Sequence, residues 1–217
     1  MKDSTRFPVK KLVLLAMLAA VSYLIVSVVR IPVVLFLSYE PKDVIITIGG
    51  FLLGPMASFI ISLVVSLLEM VTISQTGPIG ALMNLISTCS FACTAAVIYK
   101  YRRTLFGAVI GLLTGAAVMV GVMLLWNWLI TPLYMGVSRE AVEELLLPAF
   151  LPFNVLKGGL NCGFTLLLYK PLTVALRYTG LVSASPAKGG AKIGVYLFAA
   201  GLLASCILML LVLQGKL

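Results

Sequence analysis

Long runs of apolar residues, separated by short breaks rich in proline, glycine or charge, extend along almost the whole chain. A helix that crosses a bilayer needs about 20 mostly apolar residues, or fewer when it is tilted or enclosed in a bundle. The pattern predicts seven helical segments, the second of which is short and carries Gly49-Gly50. Their approximate bounds are 12–29, 43–53, 56–73, 79–98, 105–130, 150–169 and 193–213.

The breaks between these segments indicate how the chain is organised. A loop is predicted at 132–148, where Ser138 followed by three glutamates could begin a short surface helix. Lys170-Pro171 closes segment six, and a polar stretch precedes segment seven. We therefore predict an all-α polytopic membrane protein with three parts. They are a six-helix domain at 1–172, a linker at 173–192 and an appended transmembrane helix at 193–217.

The composition supports the membrane class and excludes several others. Hydrophobic residues make up 61% of the 217 residues and charged residues only 11%, and the mean hydropathy is +1.14. Soluble domains carry roughly a quarter charged residues. The net charge of +9 comes mainly from basic residues at the ends of apolar runs, which reflects membrane topology rather than nucleic-acid binding. The chain has no histidine, which removes the commonest metal ligand and imidazole catalysis, so we expect neither a metal site nor catalytic residues.

Lysine and arginine are distributed unequally between the two sides that the segments define. With the N-terminus inside, eleven of them lie inside and four outside, while Lys157 falls within a segment. Because cytoplasmic loops are enriched in Lys and Arg, we predict a cytoplasmic N-terminus and a cytoplasmic linker. The loop at 30–41, the turn at 74–78 and the loop at 132–148 then face outside. The polar residues of the segments gather near that side, as expected for a pocket that is loaded from outside.

Segment six carries the most informative polar residues. Asn154, Lys157 and Asn161 are spaced i, i+3 and i+7, so a helix places them on one face near its outer end. An ionisable group within a membrane is costly unless it faces a cavity, a partner or a ligand. The three side chains offer donors and acceptors for a ligand rich in oxygen and nitrogen. The alternative is that Lys157 extends to the interface while the Asn side chains join helices.

Three further polar residues lie in the outer halves of other segments. Asn127 follows Trp126 in segment five, and we interpret it as a candidate for the same site because an amide disfavours lipid. Asn84 in segment four could contact the ligand or join helices. Glu69, near the outer end of segment three, could pair with Lys157, contact the ligand or reach the surface.

Several short motifs carry a resemblance to a known family. They are Tyr39-Glu-Pro-Lys-Asp43, Gly50-Phe-Leu-Leu-Gly-Pro55, Gly77-Pro-Ile-Gly80 with Asn84, Leu151-Pro-Phe-Asn-Val-Leu-Lys-Gly158 and Leu167-Leu-Tyr-Lys170. They resemble the substrate-binding S components of energy-coupling factor (ECF) vitamin transporters, and within these the riboflavin-specific members. The resemblance covers about residues 8–172. The chain departs from it at Val65-Ser-Leu-Leu-Glu69, where riboflavin-specific members carry a Lys-Asn pair.

The resemblance implies a six-helix bundle with an outward-facing pocket covered by the loop after segment one. It implies that Asn127, Asn154 and Lys157 contact riboflavin, which is the transported ligand rather than a cofactor. Leu37 in the first loop would supply apolar contacts and belong to the gate. Aromatic side chains would flank the flavin ring, and the candidates are Phe153 and Trp126 or Trp128.

The resemblance also implies partners. The family docks on a membrane coupling subunit through a small-residue motif, which Ala16 and Ala20 match, and two cytosolic ATPase subunits supply the energy. We therefore expect a vitamin-binding subunit of an importer in the plasma membrane of a prokaryote, and not an enzyme. The alternatives are an S component for a different vitamin or small molecule, a stand-alone carrier and an intramembrane enzyme.

Overall fold

The computed structural model of the chain describes residues 9–74, 76–178 and 193–214. These residues form a bundle of α-helices with one small β-hairpin. The bounds in chain order are α1 Val9–Val28, β1 Ile31–Val34, β2 Leu37–Tyr39, α2 Lys42–Leu53, α3 Pro55–Thr72, α4 Gly77–Tyr101, α5 Leu105–Met135, α6 Arg139–Leu145, α7 Leu151–Tyr178 and α8 Ile193–Leu213. A π-helical turn, Leu146–Phe150, joins α6 to α7. The predicted all-α fold class is confirmed.

Six stretches of the described residues are long and apolar enough to cross a membrane. They are α1, α3, α4, α5, the stretch Arg139–Leu176 that includes most of α7, and α8. The chain is therefore built as a multi-pass membrane protein. The 12-residue helix α2 is different, because at 1.5 Å per residue it extends for only about 18 Å.

This short helix lies at the centre of the bundle. Its residues from Lys42 to Phe51 are all buried, and it packs against α1, α3, α4 and α7. A Cβ atom at Gly50 would collide with the Ser58 hydroxyl and lie 2.9 Å from Ala96 Cβ, so the missing side chain permits this close packing. The first turn of α2 brings two charged residues, Lys42 and Asp43, into the interior.

The predicted first loop folds into a β-hairpin that covers one end of the bundle. Its strands pair antiparallel, with Ile31 opposite Tyr39, and Leu35 turns the chain with a φ of 51°. Val33, Leu37 and Tyr39 are buried in a cluster that includes residues of α7. Strands of four and three residues are shorter than most, so the alternation of apolar residues was too brief to predict them.

Two predicted helix ends are wrong, and both lie next to a proline. The fifth segment was expected to end near residue 130, but α5 continues through Pro132 to Met135. The sixth was expected to end at Lys170-Pro171, but α7 continues through Pro171 to Tyr178. Each proline removes one helical hydrogen bond. In α7, the residues after Pro171 remain helical and bring Leu176 into the core, and this burial offsets the lost bond.

The structure tests one of the predicted connections, the short helix after Ser138, but not the predicted linker. The short helix after Ser138 is confirmed as α6, with the Ser138 hydroxyl accepting a hydrogen bond from the Ala141 backbone. Residues 1–8 and the part of the predicted linker at 179–192 lie outside the described residues. The division of the chain into a domain, a linker and an appended helix stays a prediction.

The appended helix α8 packs along α7. A Cβ atom at Gly159 would lie 2.5 Å from Cys206 Sγ, and one at Gly163 would lie 2.6 Å from Leu203 Cγ, so two glycines on α7 form the contact surface. Near the last residue of α8, Gln214 Nε2 donates a hydrogen bond of 2.8 Å to the Pro32 carbonyl in β1. The end of the appended helix α8 is therefore in contact with the β-hairpin.

The bundle has two distinct ends. The hairpin end carries the β1–β2 hairpin, the first turn of α2, the end of α3 and the turn at 136–138. The basic end carries the start of α1, the turn at Gly54 and the connection at 102–104. This arrangement matters because a cavity opens at each end.

Candidate functional site

A cavity of about 390 Å³ opens at the hairpin end. It lies beneath the β-hairpin and between helices α3, α4, α5 and α7, and its size suits a small organic ligand. Most of the residues predicted for a ligand site line it. These are Leu37, Glu69, Asn84, Asn127, Phe153, Asn154 and Lys157.

Lys157 reaches the cavity from α7 with its charge already paired. Its Nζ atom lies 3.2 Å from Asp43 Oδ2 and donates a hydrogen bond of 3.0 Å to the Ser87 hydroxyl. Only 6% of Lys157 is exposed, so the side chain does not extend to the membrane interface as the alternative interpretation required. The partners hold the ammonium group at the cavity wall, where a ligand can meet it.

Asn161 shares a face of α7 with Lys157 but has a different role. It is fully buried and does not line the cavity. Its amide donates to Asp43 Oδ2 at 3.3 Å, and its carbonyl oxygen accepts a hydrogen bond of 3.2 Å from the Tyr39 hydroxyl. Burial, together with the nearby Asp43 carboxylate, raises the pKa of the Tyr39 phenol far above its usual value. Tyr39 therefore stays a neutral donor that ties the hairpin to α7.

Asp43 connects these side chains, although sequence reasoning did not select it. Its carboxylate is fully buried and accepts hydrogen bonds from Thr88 at 2.7 Å and from Asn161, beside the Lys157 ammonium. A carboxylate in the first turn of a helix is common, so the position of Asp43 alone does not distinguish it from an ordinary helix start. The missed signal was the charged pair Lys42-Asp43 at the start of an otherwise apolar segment.

Glu69 pairs with Lys42, and this corrects the expectation that it pairs with Lys157 or reaches the surface. Lys42 Nζ lies 2.5 and 2.6 Å from the two oxygens of Glu69, which is only 2% exposed. Asn84 Nδ2 donates a further hydrogen bond of 3.0 Å to the same carboxylate. Glu69 therefore lines the cavity with its negative charge already neutralised.

The ion pairs continue from Lys42 into the hairpin. Lys42 also lies 2.7 Å from Glu40, and Glu40 lies 3.0 Å from Arg30, which follows α1. Three cations and three carboxylates thus alternate around the site when Asp43 and Lys157 are included. Buried charges are tolerated in a membrane domain when they are paired in this way.

Two buried amides that line the cavity each leave one polar atom unpaired. Asn127 Nδ2 and Asn154 Oδ1 have no hydrogen-bond partner among the described residues, although both side chains are 1% exposed or less. The other atom of each amide is satisfied, because Asn127 Oδ1 accepts from Thr131 and Asn154 Nδ2 donates to the Phe150 carbonyl. Buried polar groups are normally paired, so one donor and one acceptor are left for a ligand.

The tryptophans of α5 lie away from this cavity. The rotation of the helix turns Asn127 inward and places Trp126 beside a smaller pocket of about 20 Å³. Trp128 donates a hydrogen bond to Glu143 and lies under the Arg139 guanidinium, 4.9 Å from the ring centre. This placement corrects the expectation of a tryptophan at the ligand, and Phe153 is the aromatic residue of the predicted pair that lines the cavity.

The two alanines proposed for docking lie outside the ligand site. Ala16 and Ala20 are both exposed on the outer face of α1, whereas Leu14, Leu18 and Ala19 on the inner face are buried. The exposed alanines leave a shallow surface on which another helix can pack closely.

Among the described residues, no group of three or more His, Cys, Asp or Glu side chains is arranged to hold a metal ion.

The chain matches one family and several individual proteins. The model of the family described as "ECF transporter, substrate-specific component" matches residues 10–169. The riboflavin transporter RibU of Staphylococcus aureus (strain TCH60) is 28% identical over 177 residues, which are 77% of this chain and 93% of that protein. The riboflavin transporter FmnP of Bacillus subtilis (strain 168) is 28% identical over 162 residues, covering 69% and 85% of the two chains.

A solved structure has the same fold. The S component of a bacterial ECF transporter superposes with a TM-score of 0.66 at 29% identity, covering 77% of this chain and 98% of that one. The family match stops before α8, which begins at Ile193. The cavity and all of its predicted lining residues therefore fall within the matched region, and the appended helix falls outside it.

Proposed function

This chain belongs to the family of ECF transporter substrate-specific components, and we propose that it binds riboflavin for uptake into the cell. Two of its relatives are named as riboflavin transporters. The observation that carries the proposal is the pair of buried amides, Asn127 and Asn154, which line the cavity and leave one donor atom and one acceptor atom unpaired within the protein. An isoalloxazine ring presents carbonyl acceptors and an imide donor along one edge, which complement these two atoms.

The charge balance of the cavity supports an uncharged ligand. Arg30 and Lys157 line it with positive charge, and Glu40 and Glu69 line it with negative charge. Each of these groups has an opposite charge nearby within the protein. A cationic vitamin such as thiamine, or an anionic one such as biotin, would gain little from this balanced field. Riboflavin is neutral, and its ribityl hydroxyls can hydrogen-bond to paired charges at the cavity wall.

We assign separate roles to the lining residues. Asn127, Asn154 and Lys157 hydrogen-bond the polar edge of the ring, and Phe153 packs against its face. Leu37 contributes an apolar contact from the hairpin, which acts as the cover of the site. Asn84 and Glu69 shape the wall and hold Lys42 in place.

Transport requires energy from other subunits. We propose that the chain assembles with a membrane coupling subunit and two cytosolic ATPase subunits, and that Ala16 and Ala20 on α1 form the docking surface. We also propose that the chain lies in the plasma membrane of a prokaryotic cell with its N-terminus in the cytoplasm, an orientation that the distribution of Lys and Arg supports. No catalytic step is assigned to the chain, because substrate-specific components bind and release their ligand unchanged.

A panel of vitamins tests the proposed ligand. The full chain, purified in mild detergent, is dialysed against riboflavin, flavin mononucleotide, thiamine, biotin and pantothenate, and the bound fraction is measured. We expect riboflavin to bind at least about tenfold more tightly than any other member, a difference of about 1.4 kcal/mol. Tighter binding of another vitamin would remove riboflavin but keep the family role. Binding of none would remove the assignment of the cavity as a vitamin site.

A further inference from the structure

A second cavity, of about 300 Å³, opens at the basic end of the bundle, away from the ligand cavity. It lies between the start of α1, the turn that joins α2 to α3, and the end of α4. Lys11, Lys100 and Arg103 line it from three different parts of the chain. Three cations therefore meet at one opening that the proposed riboflavin function does not use.

Within the part of the chain that the structure describes, no carboxylate pairs with the positive charges at this opening. None of the four ion pairs found among the described residues involves Lys11, Lys100 or Arg103. The described carboxylates all belong to the hairpin end or to the network beneath it. They are Glu40, Asp43, Glu69, Glu140, Glu143 and Glu144. The basic end therefore carries an electrostatic field that favours an anion.

The deeper walls of the same cavity are apolar. Phe51 is buried, Leu53 is half-buried and Met56 is 62% exposed, so the cavity continues onto a surface that faces hydrocarbon in a membrane. The glycine turn at Gly54 leaves the opening wide, since a Cβ atom there would meet nothing within 4 Å. A cationic rim above an apolar wall matches a molecule with an anionic head and hydrocarbon chains.

We propose that this cavity binds an anionic phospholipid. Its phosphate lies between Lys11, Lys100 and Arg103, and its first acyl carbons lie along Phe51, Leu53 and Met56. The location supports this source of phosphate, because the three cations lie at the ends of membrane-spanning helices, at the level of lipid headgroups. A soluble anion would use the cations but would leave the apolar wall without a partner.

Lipid retention tests the site with a matched control. The full chain is purified in detergent, incubated with equal amounts of phosphatidylglycerol and phosphatidylcholine, and analysed by native mass spectrometry for bound lipid. The cavity variant is Lys11→Gln/Lys100→Gln/Arg103→Gln. The control variant, Lys10→Gln/Arg102→Gln/Lys170→Gln, removes the same charge from exposed residues of the same end that do not line the cavity. Helix content and riboflavin binding are measured for both variants, since all six side chains are exposed and far from the ligand site.

The wild-type chain should retain phosphatidylglycerol in preference to phosphatidylcholine. We expect the cavity variant to retain at least about tenfold less phosphatidylglycerol, since each basic residue near an anionic lipid surface contributes about fivefold. The control variant should match the wild type. An equal loss in both variants, or no loss in either, would overturn the proposal, because the attraction would then be a general effect of charge or absent. If the triple variant does not fold, the single variants Lys100→Gln and Arg103→Gln replace it and should each lose part of the retention.

Two further outcomes separate the lipid from other anions. Glycerol phosphate at millimolar concentration should leave the bound lipid in place, and complete displacement would instead mean a site for a small soluble anion. A cavity variant that keeps its lipid but no longer co-purifies with ATPase subunits would mean that the basic rim meets an acidic protein surface. Either result would overturn the lipid assignment, and neither depends on which vitamin the other cavity binds.

Discussion

Lys157 on α7 and Asp43 on α2 form an ion pair inside the bundle, with Nζ and Oδ2 3.2 Å apart and Asp43 completely buried. Lys157 lines the ligand cavity, but Asp43 does not. The carboxylate therefore holds the ammonium group from outside the cavity, while Lys157 itself stays at the cavity wall. A lysine on a flexible stem becomes a fixed donor in this arrangement, which lowers the ordering cost of binding.

Replacing Lys157 with methionine should weaken riboflavin binding. The substitution removes a charged donor at the cavity wall but keeps a side chain of similar length, and the loss should be at least about 1.5 kcal/mol. Equilibrium dialysis of the purified variant measures it. Lys170→Met is the matched control, because Lys170 is an exposed lysine on the same helix at the basic end. Equal affinities for Lys157→Met and the wild type would remove Lys157 from the site.

The pair should also stabilise the fold in a coupled manner. Asp43→Asn and Lys157→Met each leave one buried charge without its partner, which costs about 3 to 5 kcal/mol. The double variant removes both charges, so its loss of stability should be clearly smaller than the sum of the two single losses. Thermal unfolding in detergent, followed by circular dichroism, measures the four proteins of the cycle. Simple additivity would mean that the two charges do not depend on each other.

Local patterns in the sequence were sufficient to find part of the site. Asn154 and Lys157 stand three residues apart in an apolar run, and helix geometry alone places them on one face. The role of Asp43 could not be found in this way, because its contact with Asn161 joins residues 118 positions apart. A contact over that distance depends on how α2 packs between other helices, and no periodicity records it.

The charged partner of Glu69 also required the structure. A carboxylate at Glu69 could be recognised as expensive, but Lys157 was the only charged partner considered from the sequence. The packing of α2 against α3 decides for Lys42 and leaves Lys157 to Asp43. The rotation of α5 likewise decides that Asn127, rather than Trp126, faces the cavity. The family resemblance pointed to Asn127, and the structure places Asn127 in the cavity wall. Members of one family share a fold, and therefore share which face of this helix turns inward.

Glu69→Gln should affect stability more than ligand binding. Its carboxylate neutralises Lys42 and accepts a hydrogen bond from Asn84, so the amide would leave Lys42 with Glu40 as its main counter-ion. We expect a lower unfolding temperature in detergent and a change in riboflavin affinity of less than about 1 kcal/mol, because the charge is already paired within the protein. Glu143→Gln, near the surface, is the control for loss of a carboxylate. A large loss of affinity with unchanged stability would show instead that Glu69 contacts the ligand directly.

The contact of α8 with α7 can be tested by a cross-link. A Cβ atom at Gly159 would lie 2.5 Å from Cys206 Sγ, so a small shift of the Cys206 side chain would bring the two sulfur atoms to bonding distance. We expect Gly159→Cys to form an intrachain disulfide with Cys206 on mild oxidation. A protease site inserted between residues 179 and 192 reports it, because the two fragments then stay together until they are reduced. Gly201→Cys, on a side of α8 where a Cβ atom meets nothing within 4 Å, should release its fragments, as should the wild-type cysteines. Separation of the Gly159→Cys fragments without reductant would contradict the packing of α8.

Larger side chains at Ala16 and Ala20 should block assembly while leaving ligand binding intact. Both alanines are exposed on α1, on the side that faces away from the cavity, and close helix contact depends on such small residues. We expect Ala16→Leu/Ala20→Leu to bind riboflavin with wild-type affinity but to lose co-purification with the coupling and ATPase subunits by at least about tenfold, the effect of roughly 1.4 kcal/mol at an interface. Ala200→Leu/Ala204→Leu places the same change, with the same spacing, on the exposed face of α8 and should leave assembly unchanged. If the α8 pair blocked assembly and the α1 pair did not, the docking surface would have to be moved to the appended helix.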